Sequence, residues 1–145
     1  MGRSILGVVL GYIVIFVILF CILTAAYLGM GPNAAFQPGS FRPSVLWTAV
    51  EVIVGFGAAI VGGLVCITIA RKRGAVTALV VVIIVLGALG VIPAIMGAST
   101  PDAVREGGLS NMEAMMKARQ PVWMAIMNPI LGIVGVLVGS RLKRD

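Results

Sequence analysis

Charged residues punctuate this chain at wide intervals, and between them run four apolar stretches, 5–28, 45–70, 75–98 and 121–140. Together they take up about two thirds of the 145 residues and hold a single charge, Glu51. At roughly 1.5 Å rise per residue even the shortest covers about 30 Å, the thickness of a bilayer's hydrocarbon core. A buried helix of a soluble protein carries a polar stripe, whereas 5–28 and 75–98 have no charge on any face. The pattern predicts an all-α integral membrane protein of one domain spanning 1–145. It is an up-down bundle of four transmembrane helices.

The connections differ from one another. Only Arg71 to Gly74 join the second and third helices, which predicts an antiparallel hairpin of neighbours. Met30 to Ser44 contains Gly31, Pro32, Pro38, Gly39 and Pro43, so a turn-rich, ordered loop is expected there. In the second long loop Ser110 and Glu113 have capping-box spacing, Leu109, Met112, Met115 and Met116 lie on one side, and Glu113 and Lys117 pair at i, i+4. That predicts a short amphipathic helix over 111–119, lying at the membrane surface. The first stretch exceeds the apolar segment of a cleaved secretion signal, so it is read as an anchor.

Charge then orients the bundle. Arg3, Arg71, Lys72, Arg73, Arg141, Lys143 and Arg144 gather on one side, opposed only by Asp145, whereas Arg42, Arg105, Lys117 and Arg119 on the other are mixed with Asp102, Glu106 and Glu113. The positive-inside rule places both termini in the cytoplasm, with Tyr27, Trp47 and Trp123 as aromatic anchors at the outer interface. The expected location is the cell membrane, the inner one in a bacterium. The net charge of +6 is split into short clusters, so it marks topology and argues against a nucleic-acid partner. Composition agrees with the class: 60% hydrophobic residues, 11% charged and a mean hydropathy of +1.13 lie outside the soluble range.

Small residues provide the packing signal within the bilayer. Gly7 and Gly11 form a GxxxG step, Gly135 and Gly139 another, and Gly55, Ala59 and Gly63 recur at the same interval. Glu51, Gly55, Ala58 and Gly62 fall within about 60° of helical arc, and Asn128, Gly132, Gly135 and Gly139 repeat those offsets. Measured from the predicted helix starts, Glu51 and Asn128 sit at nearly the same depth, so a buried polar pair is expected. The offset that carries Glu51 onto Asn128 also carries Arg42 onto Arg119 and Gly62 onto Gly139, as a duplicated hairpin would.

Several chemistries are excluded. There is no His, the commonest general base and metal ligand. Cys21 and Cys66 form no CxxC motif and are separated by about 18 Å in depth, too far for a disulfide. No phosphate-binding loop, pair of membrane carboxylates or activated Ser is present. The expectation is therefore of no enzyme, cofactor or metal site. The leading expected role is a non-catalytic accessory subunit, packed through Gly7, Gly11, Gly55, Ala58, Gly62, Gly135 and Gly139 against copies of itself or other membrane subunits. The alternative is a small proton- or cation-coupled transporter using Glu51 as its membrane-embedded acid.

Overall fold

The computed structural model describes residues 2–99, 104 and 110–143. Asp102, Arg105, Glu106, Leu109, Arg144 and Asp145, which enter the charge and amphipathic patterns above, lie outside the described residues, as does the side chain of Met115. Five helices follow in order: α1 Gly2–Ala35, α2 Val45–Ala70, α3 Arg73–Ala98, α4 Asn111–Met116 and α5 Val122–Leu142. Four of them, α1, α2, α3 and α5, are long and apolar enough to cross a membrane.

Helix ends follow local chemistry. The regular part of α1 stops at Gly31, whose φ of 71° and ψ of 170° interrupt the helix before Pro32 opens one further turn to Ala35. The loop expected from Met30 is thus shorter than the sequence suggests, because Pro is well tolerated in a first helical turn. Ser44 caps α2, its Oγ accepting from Trp47 N at 3.1 Å. α2 ends where Arg71 turns into the left-handed region and its N–H returns to Ile67 O.

α2 is the hub of the bundle. Its Gly62, Cys66 and Ala70 face α1, where a methyl group placed on Gly7 would come within 2.9 Å of Cys66 O, and one on Gly11 within 2.9 Å of Gly62 O. A second seam faces α5: a methyl on Gly135 would meet Ala59 Cβ at 2.6 Å, and methyls on Gly63 and Gly139 would collide with the backbones of Val136 and Ile60. Only glycine permits backbones this close. Leu79, Cys66, Val136, Ala58 and Ala59 complete the main core, all in the half of the bundle that carries Arg3, the Arg71–Arg73 turn and Arg141.

The pairing of α3 departs from the expected hairpin. Although only two residues separate it from α2, α3 packs principally on α5, with smaller contacts to α1 and α2. Its buried residues, Ala75, Val76 and Leu79, lie in its first two turns; beyond them it leans on α5, where Gly87 receives the Pro129 ring and Ile83 touches Gly132. Every face of α3 is apolar, so the sequence offers nothing to choose its neighbour. A two-fold exchanging α1 with α3 and α2 with α5 would pair α1–α2 with α3–α5 and leave α2–α5 and α1–α3 as its central contacts, and all four pairs do touch. The departure is at α2–α3, which meet although their counterparts α1 and α5 do not.

The opposite end carries a structured head. Gln37 to Ser40 form a turn closed by Ser40 N donating to Gln37 O at 3.1 Å, with Pro38 at its second position and Gly39, at φ 68°, at its third. Phe36 and Pro43 pair across it, and Ser44 N donates to Ala35 O, so the loop folds back on α1. Tyr27, Phe36, Phe41 and Trp47 interlock edge to face at 5.8 to 6.3 Å between ring centroids. α4 plugs this cluster through fully buried Ala114, and Lys117 lies 5.9 Å over the Phe41 ring. The helix is shorter than the 111–119 expected: Lys117 lies in a turn, 118–120 have no regular structure, and Pro121 is the N-cap residue of α5.

The capping box of α4 is fully formed. Ser110 N donates to a Glu113 carboxylate oxygen at 3.0 Å, Ser110 Oγ donates to the same oxygen at 2.9 Å, and Glu113 N donates to Ser110 Oγ at 3.3 Å. The Ser110 backbone N–H, then its hydroxyl, hold the Glu113 carboxyl below its ordinary range.

Two predictions follow from these contacts. Gly63→Val forces a side chain into the Val136 backbone and is expected to destabilise the bundle by about 1–3 kcal/mol or more, whereas Gly55→Val meets open space and leaves the thermal midpoint in mild detergent near the wild type. For α4, the folded carboxyl titrates below the unfolded one. The cap's stabilisation is thus complete above the ordinary carboxylate range and is lost as pH falls through the lowered value. Hydrogen-exchange protection of the Ala114 and Lys117 amides is expected to fall in acid, and Ser110→Ala to remove it at every pH.

Candidate functional site: a polar cavity in the loop-side half of the bundle

Close approach of α1, α2 and α5 at one end, with α3 leaning away toward α5, leaves a gap where the helices separate. The result is a cavity of about 330 Å³ walled by α1, α2, α3 and α5, within the size range of small-molecule sites. Its walls are mostly aliphatic, from Ile15, Leu19 and Leu23 on α1 to Ile83 and Leu86 on α3, and Tyr12 reaches its lower end. Besides the Tyr12 phenol, three polar side chains line it: Glu51 on α2, Asn128 on α5 and Gln120 just before α5.

The contact register places these groups along the bundle axis. Ala59 meets Gly135, and Glu51 and Asn128 lie about 12 and 10 Å from those residues along their own helices, toward the head. The expected common depth is therefore present, and both residues face one space. Trp47, one turn earlier on α2, lies beside Glu51, and its ring belongs to the aromatic head cluster. Asn128 lines the same cavity from α5.

The small residues singled out by spacing divide into two sets. Gly7, Gly11, Gly62, Gly135 and Gly139 lie at backbone-to-backbone contacts, and Ala58 is buried in the core. Gly55 does not: a Cβ there would meet nothing within 4 Å, because this glycine forms part of the cavity wall. Periodicity placed Gly55 on the right face of α2 but could not reveal that α3 fails to cover it. Two contributors went unnoticed in the sequence. Gly87 is a close-approach glycine without a GxxxG partner, and Gln120 fell in the loop just outside the predicted stretch 121–140.

The aromatic anchors also divide. Tyr27 and Trp47 pack edge to face in the head, whereas Trp123 is 54% exposed on the first turn of α5. Both cysteines are free, Cys66 buried against Gly11 and Cys21 exposed. Among the described residues, no three His, Cys, Asp or Glu side chains cluster as metal ligands would.

A second cavity of about 470 Å³ lies beside the head, between the end of α3 and the segment before α5. Arg119 organises its edge. Its backbone N–H donates to Phe41 O at 3.1 Å and its guanidinium donates to Gly97 O at 3.2 Å, tying the head loop, the end of α3 and the start of α5 together. The Gly97 carbonyl belongs to the last turn of α3, where a cation is favourable. No protein-family model, curated protein or solved structure matches the chain.

Proposed function

We propose that this chain is a non-catalytic, multi-pass integral membrane protein that binds a small cation at Glu51 in exchange for a proton, with both termini cytoplasmic and the head on the opposite side. The observation that carries this reading is that Glu51, the one acidic residue of the four spanning helices, faces a cavity and shares it with Asn128. In hydrocarbon a carboxyl group holds either a proton or a counter-cation, since an isolated charge there is costly. Asn128 and Gln120 add hydrogen-bonding groups that orient a ligand. An exchange of one cation for one proton at a single carboxyl is the elementary step of a cation-coupled transporter.

A second role, as an accessory subunit in a homo-oligomer or larger membrane assembly, is favoured by α4. Its Met112 and Met116 are 67% and 79% exposed on a helix held firmly by Ala114 and its capping box. Such a face suits the lipid–water interface or a neighbouring subunit.

Adding tetramethylammonium to the wild type in a weakly buffered detergent solution is expected to release protons stoichiometrically, and Glu51→Gln to release none. Equal release from both proteins would remove Glu51 from the function. Sedimentation in mild detergent addresses the second role: a larger assembly that dissociates when Met112 and Met116 are both replaced by Glu supports it, and a monomer throughout counts against it.

A further inference from the structure

Depth along the bundle sorts the chemistry of the first cavity. Gln120, just before α5, is the polar group nearest the head, Glu51 and Asn128 form a middle level, and below them the walls are aliphatic side chains and bare glycine, with Tyr12 at the foot. Gly55 and Gly132 each lie one turn below the polar pair, about 6 Å, and Ile15 and Ala59 lie roughly another turn below that. The space over Gly55 is empty rather than packed. A bare metal ion is a poor match for such a slot, since hard cations want six or more oxygen ligands and the walls offer far fewer. An ion with its own hydrocarbon arm satisfies both levels at once.

We propose that the slot takes an amphiphilic monovalent ammonium ion, its charged head between Glu51 and Asn128 and its hydrocarbon arm lying over Gly55 and Gly132 toward Ile15 and Ala59. This rests on the reading of Glu51 as a cation site and adds the class of ligand. The carboxylate supplies the charge complement, and the amide oxygen of Asn128 completes the polar level. The arm lies where the missing side chain of Gly55 leaves room, so the length of arm accepted is set by that residue. The binding step breaks one bond, the O–H of the Glu51 carboxyl: its proton passes to water as hydronium, and the ammonium head takes the proton's place as the carboxylate's positive partner.

The test uses full-length protein in lipid nanodiscs, titrated with ethyl-, butyl- and hexyltrimethylammonium, with empty nanodiscs subtracted and hexan-1-ol as the uncharged comparison. In the wild type, Kd is expected to fall about three- to fourfold for each added methylene. Gly55→Leu is expected to flatten that gradient while ethyltrimethylammonium still binds within about threefold of wild type, with Gly55→Ala intermediate. Hexan-1-ol is expected to bind at least about tenfold more weakly than the hexyl cation, the loss of a charge-assisted contact. Glu51-dependent binding with the same Kd from ethyl to hexyl would overturn the amphiphile assignment while leaving the cation site standing. A gradient that persists in Gly55→Leu would place the arm elsewhere and overturn it too. Binding indifferent to Glu51→Gln would remove the cation site itself.

Discussion

Hydrocarbon gives apolar side chains no reason to prefer one another over lipid, so helices in it are held by dispersion across surfaces that fit closely. Here that fit comes from α2. One side of it accepts α1 at Gly7 and Gly11, the other accepts α5 at Gly135 and Gly139, and in both cases glycine lets one backbone rest on another. The rest of the molecule is arranged around these two seams. Both lie in the half of the bundle near the Arg71–Arg73 turn, and with α3 turned toward α5 the helices do not close up again toward the other end. The cavity is thus a by-product of where the glycines are.

The head performs a complementary task. Helices that spread need to be tied at their open end, and polar contacts do this where water is near. Ser44 joins the last turn of α1 to the first of α2 through its Oγ, which donates to Ala34 O while accepting from Trp47 N. Arg119 does the same for α3 and α5. Four interlocking rings and the buried Ala114 of α4 fill the space between. The bundle is consequently closed by glycine at one end and by hydrogen bonds and aromatic packing at the other.

Much of this was legible in the sequence. Charge-free runs of bilayer length specify spanning helices almost without competition, and Ser110 and Glu113 announce a capping box by spacing alone. Glu51 and Asn128 could be set at one depth because helix starts act as rulers. What could not be read was which helices touch. α3 is apolar all round, so its short link to α2 suggested a partnership that its packing on α5 largely replaces. The same blindness assigned Gly55 to a helix contact when it borders a void. A glycine's spacing gives its direction, but the identity of what lies in that direction belongs to the tertiary structure. Gly31 was similarly half-read: a break was expected near it, but not the extra turn that Pro32 restarts.

Trp47 stands on both sides of this division. Its ring is set edge to face against Tyr27 in the head, and the same side chain neighbours Glu51 one turn farther along α2. The acid is therefore not an isolated feature of the lipid-buried region. Beside the acid stands an indole held by the Tyr27 ring and, through its backbone N–H, by the Ser44 hydroxyl. The head thus reaches to within one helical turn of the cavity's carboxyl.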